Sequence, residues 1–257
     1  MARSQYDLSI PDFAGGPRAS GVSRFQAGSA AVTLCGVSKA YGAGSSRTPV
    51  LHEVSLNIPT GSFAAIVGPS GSGKSTLLNL IGLLDRPDGG EVHLGGQHVA
   101  FRDSTEAAHL RGRLIGFVFQ SFQLLPRLTA WENVALPMLH AGVPRIERRR
   151  RALDLLASVG LAGRVEHRPP ELSGGQCQRV AVARALACDP GLILADEPTG
   201  SLDTASGGAV MELLRDLNRR QGTTVIMVTH DMSLAETCDV MIEIRDGRVV
   251  PQDEASA

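Results

Sequence analysis

Lysine is scarce in this chain. Of 25 basic side chains only Lys39 and Lys74 are lysine, and Lys74 stands where a lysine has chemistry to do. It sits near the end of Gly68-Pro69-Ser70-Gly71-Ser72-Gly73-Lys74-Ser75, which fits G-x-x-x-x-G-K-[ST] in full. The glycines permit backbone torsions that turn successive N–H groups inward, making a nest for an anion. A helix starting near Lys74 adds the positive end of its dipole. The Lys74 ammonium then reaches the β- and γ-phosphates, the Ser75 hydroxyl ligates Mg2+, and Thr76 completes the nucleotide contacts. The run predicts a nucleoside triphosphate site.

A second constellation supplies carboxylates. Leu192-Ile193-Leu194-Ala195 is an apolar strand ending in Asp196 and Glu197. Ligands of open parallel sheets sit at the carboxyl ends of strands, and neighbouring strand residues face opposite ways. One acid can therefore orient Mg2+ while the other faces the attacking water. Asp196 is assigned to the metal and Glu197 to general-base duty. His230 ends another strand at the same edge, where an imidazole can hydrogen-bond a γ-phosphate. A structural histidine is the alternative there. Gln120 ends the apolar strand Ile115–Phe119, and its amide can reach Mg2+ or the water.

A third element is Leu172-Ser173-Gly174-Gly175-Gln176, leading into a helix over 177–187. A serine and two glycines at a helix N-terminus expose backbone N–H groups, a second anion-binding surface. One chain thus carries one phosphate loop and one such surface, both suited to the same triphosphate. Two chains placed head to tail, each closing the other's site, is the economical arrangement.

The elements that must hold these groups read as α/β. Short strands are expected over 31–34 and 54–58, flanking a Gly/Ser-rich loop at 42–46, and Phe63–Val67 feeds the phosphate loop. The helix after it carries Leu77, Leu80, Ile81 and Leu84 on one face. Thr129 with Glu132 predicts a capping box, and Pro144 precedes a helix that Gly160 closes. That helix has Ile146, Leu153, Leu156 and Val159 as its buried side, with five arginines between 145 and 151 on a solvated face. A strand Leu192–Ala195, a helix carrying Val210, Leu213, Leu214 and Leu217, and a strand 223–228 follow. Asp246-Gly247 marks a hairpin. The expected architecture is a parallel-sheet P-loop NTPase core with an N-terminal antiparallel β subdomain and a helical insert. The domain spans 31–250, with the helical subdomain at about 121–172 and running on to 187. Flexible tails are expected at 1–30 and 251–257.

Composition narrows the partners. The formal charge is −1, so no global basic field draws the chain to nucleic acid. Apolar runs are only a few residues long, against roughly 20 for a membrane helix. Any membrane-spanning partner must be another chain. Cys35, Cys177, Cys188 and Cys238 lack metal-ligand spacing and read as reduced thiols packed as small apolar groups.

Taken together, GPSGSGKS, Gln120, LSGGQ, LILADE, Ser201-Leu202-Asp203 and His230 closely resemble the ABC transporter ATPase family, in the family's order. The resemblance covers about 31–250. It implies that Ser173, Gly174 and Gly175, with Gln176, contact the γ-phosphate of ATP across a dimer, most simply a homodimer. It places Asp203 at the dimer seam, Tyr41 against adenine, and the loop after Gln120 against a membrane partner. Gly82–Pro87, Ile115–Pro137 and ADEPTGSLD look like the lipoprotein-releasing and macrolide- or peptide-export class. That likeness implies an FtsX-like permease and a peripheral position on the cytoplasmic face of the cell membrane. Ser201 and Cys177 stand where members of that class often have Asn and Gln. A non-transport ABC ATPase, for example in cell division, is the alternative reading.

Overall fold

The computed structural model describes residue 25 and residues 29–101 and 104–251. In chain order the first elements are β1 (Ala30–Tyr41), β2 (Thr48–Pro59), β3 (Phe63–Val67), α1 (Lys74–Ile81), β4 (Gly89–Leu94) and β5 (Gln97–His98). Next come α2 (Ser104–Leu114), β6 (Ile115–Phe119), α3 (Ala130–His140), α4 (Arg145–Ser158) and α5 (Gly174–Ala185). The chain then forms β7 (Leu192–Asp196), α6 (Thr204–Gln221), β8 (Thr224–Val228), α7 (Met232–Ala235), β9 (Val240–Arg245) and β10 (Arg248–Val249).

Two sheets result. A four-stranded antiparallel sheet has the order β2-β1-β4-β5, and a six-stranded sheet has the order β10-β9-β3-β8-β7-β6. From β9 to β6 every pairing in the second sheet is parallel. The strand pleat sends alternate residues to opposite faces, and the core divides accordingly. Ile193, Ala195, Val225 and Met227 pack on the side of α3, α4, α5 and α6. Leu192, Leu194, Ile226 and Val228 pack on the side of α1 and the antiparallel sheet. Phe25 packs against this second cluster, close to Gly95 and Gly191. The expected tails otherwise lie almost wholly outside the described residues. Among the described residues, no helix is long and apolar enough to cross a membrane.

Four expectations need correction. β1 and β2 run far beyond 31–34 and 54–58, because register shifts between Leu34 and Val37 and again near Lys39 interrupt the hydrophobic alternation without ending the pairing. Leu84 is exposed instead of lying with Leu77, Leu80 and Ile81. α1 stops at Ile81, and Leu83 takes a left-handed φ of 53°, so the helical phase is lost before Leu84. Ile146 is 88% exposed; it shares a helix face with the partly buried Leu153, whereas α4 turns Ala152, Leu155 and Leu156 to the core. Cys35 is exposed on β1, whereas Cys177 is buried and Cys188 and Cys238 are half-buried. Burial pushes the thiols of the last three up, that of Cys238 to about 11.

Candidate nucleotide-hydrolysis site

Parallel register brings four strand ends to one edge. Ile66 pairs with Val228, Val228 with Asp196, and Asp196 with Phe119. The segments that leave the sheet there carry Gly68, Glu197, His230 and Gln120. The phosphate loop, the carboxylate pair, the histidine and the glutamine therefore share one rim, although they are distant in sequence.

Sterics dictate the loop. Gly68 and Gly73 have φ of 146° and 103°, which side-chain-bearing residues avoid. A Cβ on Gly68 would strike the Ile244 carbonyl, and one on Gly73 would come within 2.8 Å of Leu51 Cδ2. Pro69, Ser70 and Gly71 are exposed. Ser72 is buried, and its hydroxyl has no hydrogen-bond partner. Gly73 caps α1 with no side-chain hydrogen bond, which leaves the first N–H groups of that helix for an anion. Lys74 Nζ donates to the Gly68 and Pro69 carbonyls at 2.9 and 2.8 Å, so the ammonium lies across its own loop. Ser75 and Thr76 follow on the first turn.

The carboxylates differ in surroundings. Burial, then the neighbouring Glu197, push the Asp196 carboxyl above its usual range, with Lys74 opposing. Glu197 has a left-handed φ of 45°, and its N–H donates to the Val228 carbonyl at 3.0 Å. Such backbone strain at a non-glycine residue is concentrated at functional sites. Glu197 Oε1 lies 3.2 Å from His230 Nδ1. A Cβ on Gly200 would come within 2.8 Å of Gln120 Nε2 and 3.1 Å of Glu197 Oε2, so both side chains lie against that glycine.

A Mg2+ ion fits this donor set. Asp196 carries negative charge that burial and Glu197 leave poorly compensated. Ser75, Gln120 and Asp196 offer only oxygen ligands of the hard type Mg2+ takes, few in number because phosphate and water complete its shell.

Tyr41 is half-exposed at the end of β1, and its hydroxyl donates to Asp85 at 2.8 Å. Burial first, and then that hydrogen bond, push the Tyr41 hydroxyl up, while Thr76 bonds to the same hydroxyl and opposes. Lys39 is buried, donates to Asp85 at 2.7 Å and to the Arg86 carbonyl at 2.8 Å, and stands 5.0 Å from the Tyr41 ring centre. Burial works to raise the Asp85 carboxyl, but hydrogen bonds from Lys39, Tyr41 and the Arg86 N–H hold it below its usual value.

The serine–glycine turn opens a different helix, α5. Ser173 and Gln176 form a reciprocal capping box at the start of α5. The atoms nearest Gly174 and Gly175 belong to Phe122, Ser201, Leu202 and Ser206, none of them to the phosphate loop. Asp203 is exposed, caps α6 and accepts from the Ser206 N–H at 3.0 Å. That bond holds its carboxyl below the usual range.

Sequence reasoning missed the residues that support the rim. Lys39 and Asp85 brace Tyr41. Arg184 on α5 donates to the carbonyls of Phe122 and Gln123, two consecutive residues with left-handed φ. Asn133, fully buried, binds the backbone of Leu125, Leu128 and Thr129. The signal available for Asn133 and Arg184 was a polar side chain on an otherwise apolar helix face.

A phosphate loop and paired acids on the rim of a parallel sheet, with an antiparallel sheet and a helical unit attached, define a nucleotide-hydrolysing α/β cassette. The chain belongs to the ABC transporter family, whose model matches residues 51–200, and it is an ATP-hydrolysing transporter subunit. It is 54% identical over 226 residues to the lipoprotein-releasing system ATP-binding protein LolD of Anaeromyxobacter dehalogenans, covering 85% of this chain and 92% of that protein. It is 50% identical over 224 residues to the macrolide export ATP-binding/permease protein MacB of Brucella melitensis, covering 87% of this chain but 34% of MacB. A dimeric, post-hydrolysis structure of the ATP-binding cassette MJ0796 bound to ADP and Pi superposes with a TM-score of 0.79 at 46% identity. That match covers 86% of this chain and 97% of the cassette.

Proposed function

We propose that two copies of this chain close head to tail on two ATP molecules and drive a separate FtsX-like permease. The observation that carries the reading is the separation within one chain. The phosphate loop, Asp196, Glu197, Gln120 and His230 share one rim, while the neighbours of Gly174 and Gly175 are Phe122, Ser201, Leu202 and Ser206 and none belongs to the phosphate loop. A second subunit supplies the missing wall, with Asp203 at the seam. The dimeric form of the MJ0796 cassette supports this.

In this reading the nest from Gly68 to Gly73 and the α1 N-terminus cradle the phosphates, and Lys74 is drawn from its loop carbonyls to the β- and γ-phosphates. Tyr41, held by Asp85, offers its free ring face to adenine. Glu197 orients and deprotonates the attacking water, and His230 steadies that carboxylate and faces the γ-phosphate. Ser75, Asp196 and Gln120 would hold Mg2+, which supplies charge neutralisation at the phosphate oxygens. The partner's Ser173–Gly175 N–H groups complete the cage.

The likeness to LolD and MacB supports release or export of a lipoprotein, macrolide or peptide-like cargo, with this subunit placed peripherally on the cytoplasmic face of the membrane. Leu125, on the loop after Gln120, and Ile146 are exposed, and Ile146 borders a groove lined by Trp131, Arg149 and Glu166. That surface suits a cytoplasmic element of a permease.

Mixing tests the shared site. Lys74→Ala and Ser173→Arg subunits should each be inactive alone. Randomly paired, they should regain about a quarter of wild-type ATPase activity, because half the dimers then hold one intact site of two. No recovery on mixing would argue that each chain builds its site alone.

A further inference from the structure

Gln178 is fully buried on α5. Its Nε2 donates to the Phe119 carbonyl at 3.3 Å and to the Pro198 carbonyl at 2.6 Å. Phe119 immediately precedes Gln120, and Pro198 immediately follows Glu197. One amide group thus ties together the two backbone segments that present the glutamine and the glutamate of the hydrolysis site. Its Oε1 is buried without a hydrogen-bond partner. The amide orientation is nevertheless fixed, since turning it over would set an oxygen against two carbonyl oxygens. An orphaned buried acceptor is costly, and an apolar side chain of similar size would avoid the cost. What the glutamine gains is the pair of carbonyls.

Both segments have backbones that need holding. Glu197 is left-handed, as are Phe122 and Gln123 just beyond Gln120. Arg184 on the same helix grips the Phe122 and Gln123 carbonyls. Helix α5 begins at the Ser173 turn, so a single rigid element runs from that turn to both ties.

We infer that Gln178 is a positioning residue, which sets Gln120 and Glu197 relative to one another and links them to the serine–glycine turn of their own chain. This rests on the roles proposed above for Gln120 and Glu197.

The test is steady-state ATP hydrolysis by the purified full chain carrying Gln178→Met, which keeps length and bulk and loses the donor. The expected result is a kcat lowered about 10- to 100-fold with KM for ATP within about twofold, the signature of misplaced groups and not of lost binding. A double-mutant cycle with Gln120→Ala supplies a readout that a purely structural role would not move. In the Gln120→Ala background the further loss from Gln178→Met should be clearly smaller than its loss in the wild-type background, because one of the two groups being positioned is gone. Independent, multiplying losses would overturn the inference, as would an unchanged kcat in Gln178→Met. Wild-type turnover by Gln120→Ala alone would instead overturn the underlying reading of Gln120, and it is told apart by appearing in the single variant. Should Gln178→Met fail to fold, Gln178→Asn, too short to span both carbonyls, is held to the same two readouts.

Discussion

His230 Nδ1 lies 3.2 Å from Glu197 Oε1, joining the ends of β8 and β7 by the two side chains proposed to act on the attacking water and the γ-phosphate. The contact gives Glu197 a fixed direction at a residue whose backbone is already constrained to φ 45°. Glu197→Gln keeps the shape and removes the base. It should lower ATP turnover about 100- to 1,000-fold while an ATP-dependent dimer accumulates, visible by size-exclusion chromatography with light scattering. His230→Ala should lower kcat about tenfold or more with nucleotide affinity little changed. Rapid hydrolysis by Glu197→Gln would refute the assignment.

Asp196 should show a conflict between stability and activity. Its folded carboxyl is raised by burial and by Glu197. The neutral form is therefore favoured in the fold, and stability is lost as pH rises from the ordinary carboxylate value through the raised one. Asp196→Asn should raise the melting temperature of the nucleotide-free protein at pH 7 by about 2–4 °C and flatten that part of its pH profile. It should also abolish Mg2+-dependent hydrolysis. A lower melting temperature would mean that the charge is compensated.

Gly200→Ala probes the crowding around the same groups. The new Cβ would meet Gln120 Nε2 at 2.8 Å and Glu197 Oε2 at 3.1 Å. Both side chains must move, and kcat should fall about tenfold or more. The glycine's exposed position leaves the melting temperature within about a degree of wild type, since surface changes cost little. Calorimetry beside an ATPase assay separates the two effects.

Asp85→Ala should act on nucleotide binding. It leaves the buried Lys39 ammonium with the Arg86 carbonyl as its remaining hydrogen-bond partner and the Tyr41 hydroxyl with Thr76. Removing one member of a largely buried ion pair is destabilising, so the melting temperature should fall, and KM for ATP should rise about threefold to tenfold. Because the Asp85 carboxyl is held low, its contribution is present above the ordinary carboxylate value and lost as pH falls through the folded one. The deficit of the variant should therefore narrow in acid, which thermal melts across pH would register.

The phosphate loop was legible in the sequence because a contiguous run of eight residues specifies it. The strands β3, β6, β7 and β8 were legible because burial on both faces leaves short apolar runs. Long-range ties left no such mark. Gln178 reaches carbonyls at Phe119 and Pro198, and Lys39 reaches Asp85, pairings that only the folded chain brings together. Leu84 and Ile146 were misread for a local reason. Periodicity assigns a helix face, but it does not say where the helix ends or how far the core extends beneath it.

Lys74 already rests on the carbonyls of Gly68 and Pro69. The loop that would cradle a triphosphate therefore also holds its own cation, so the backbone nest and the ammonium form one polar unit.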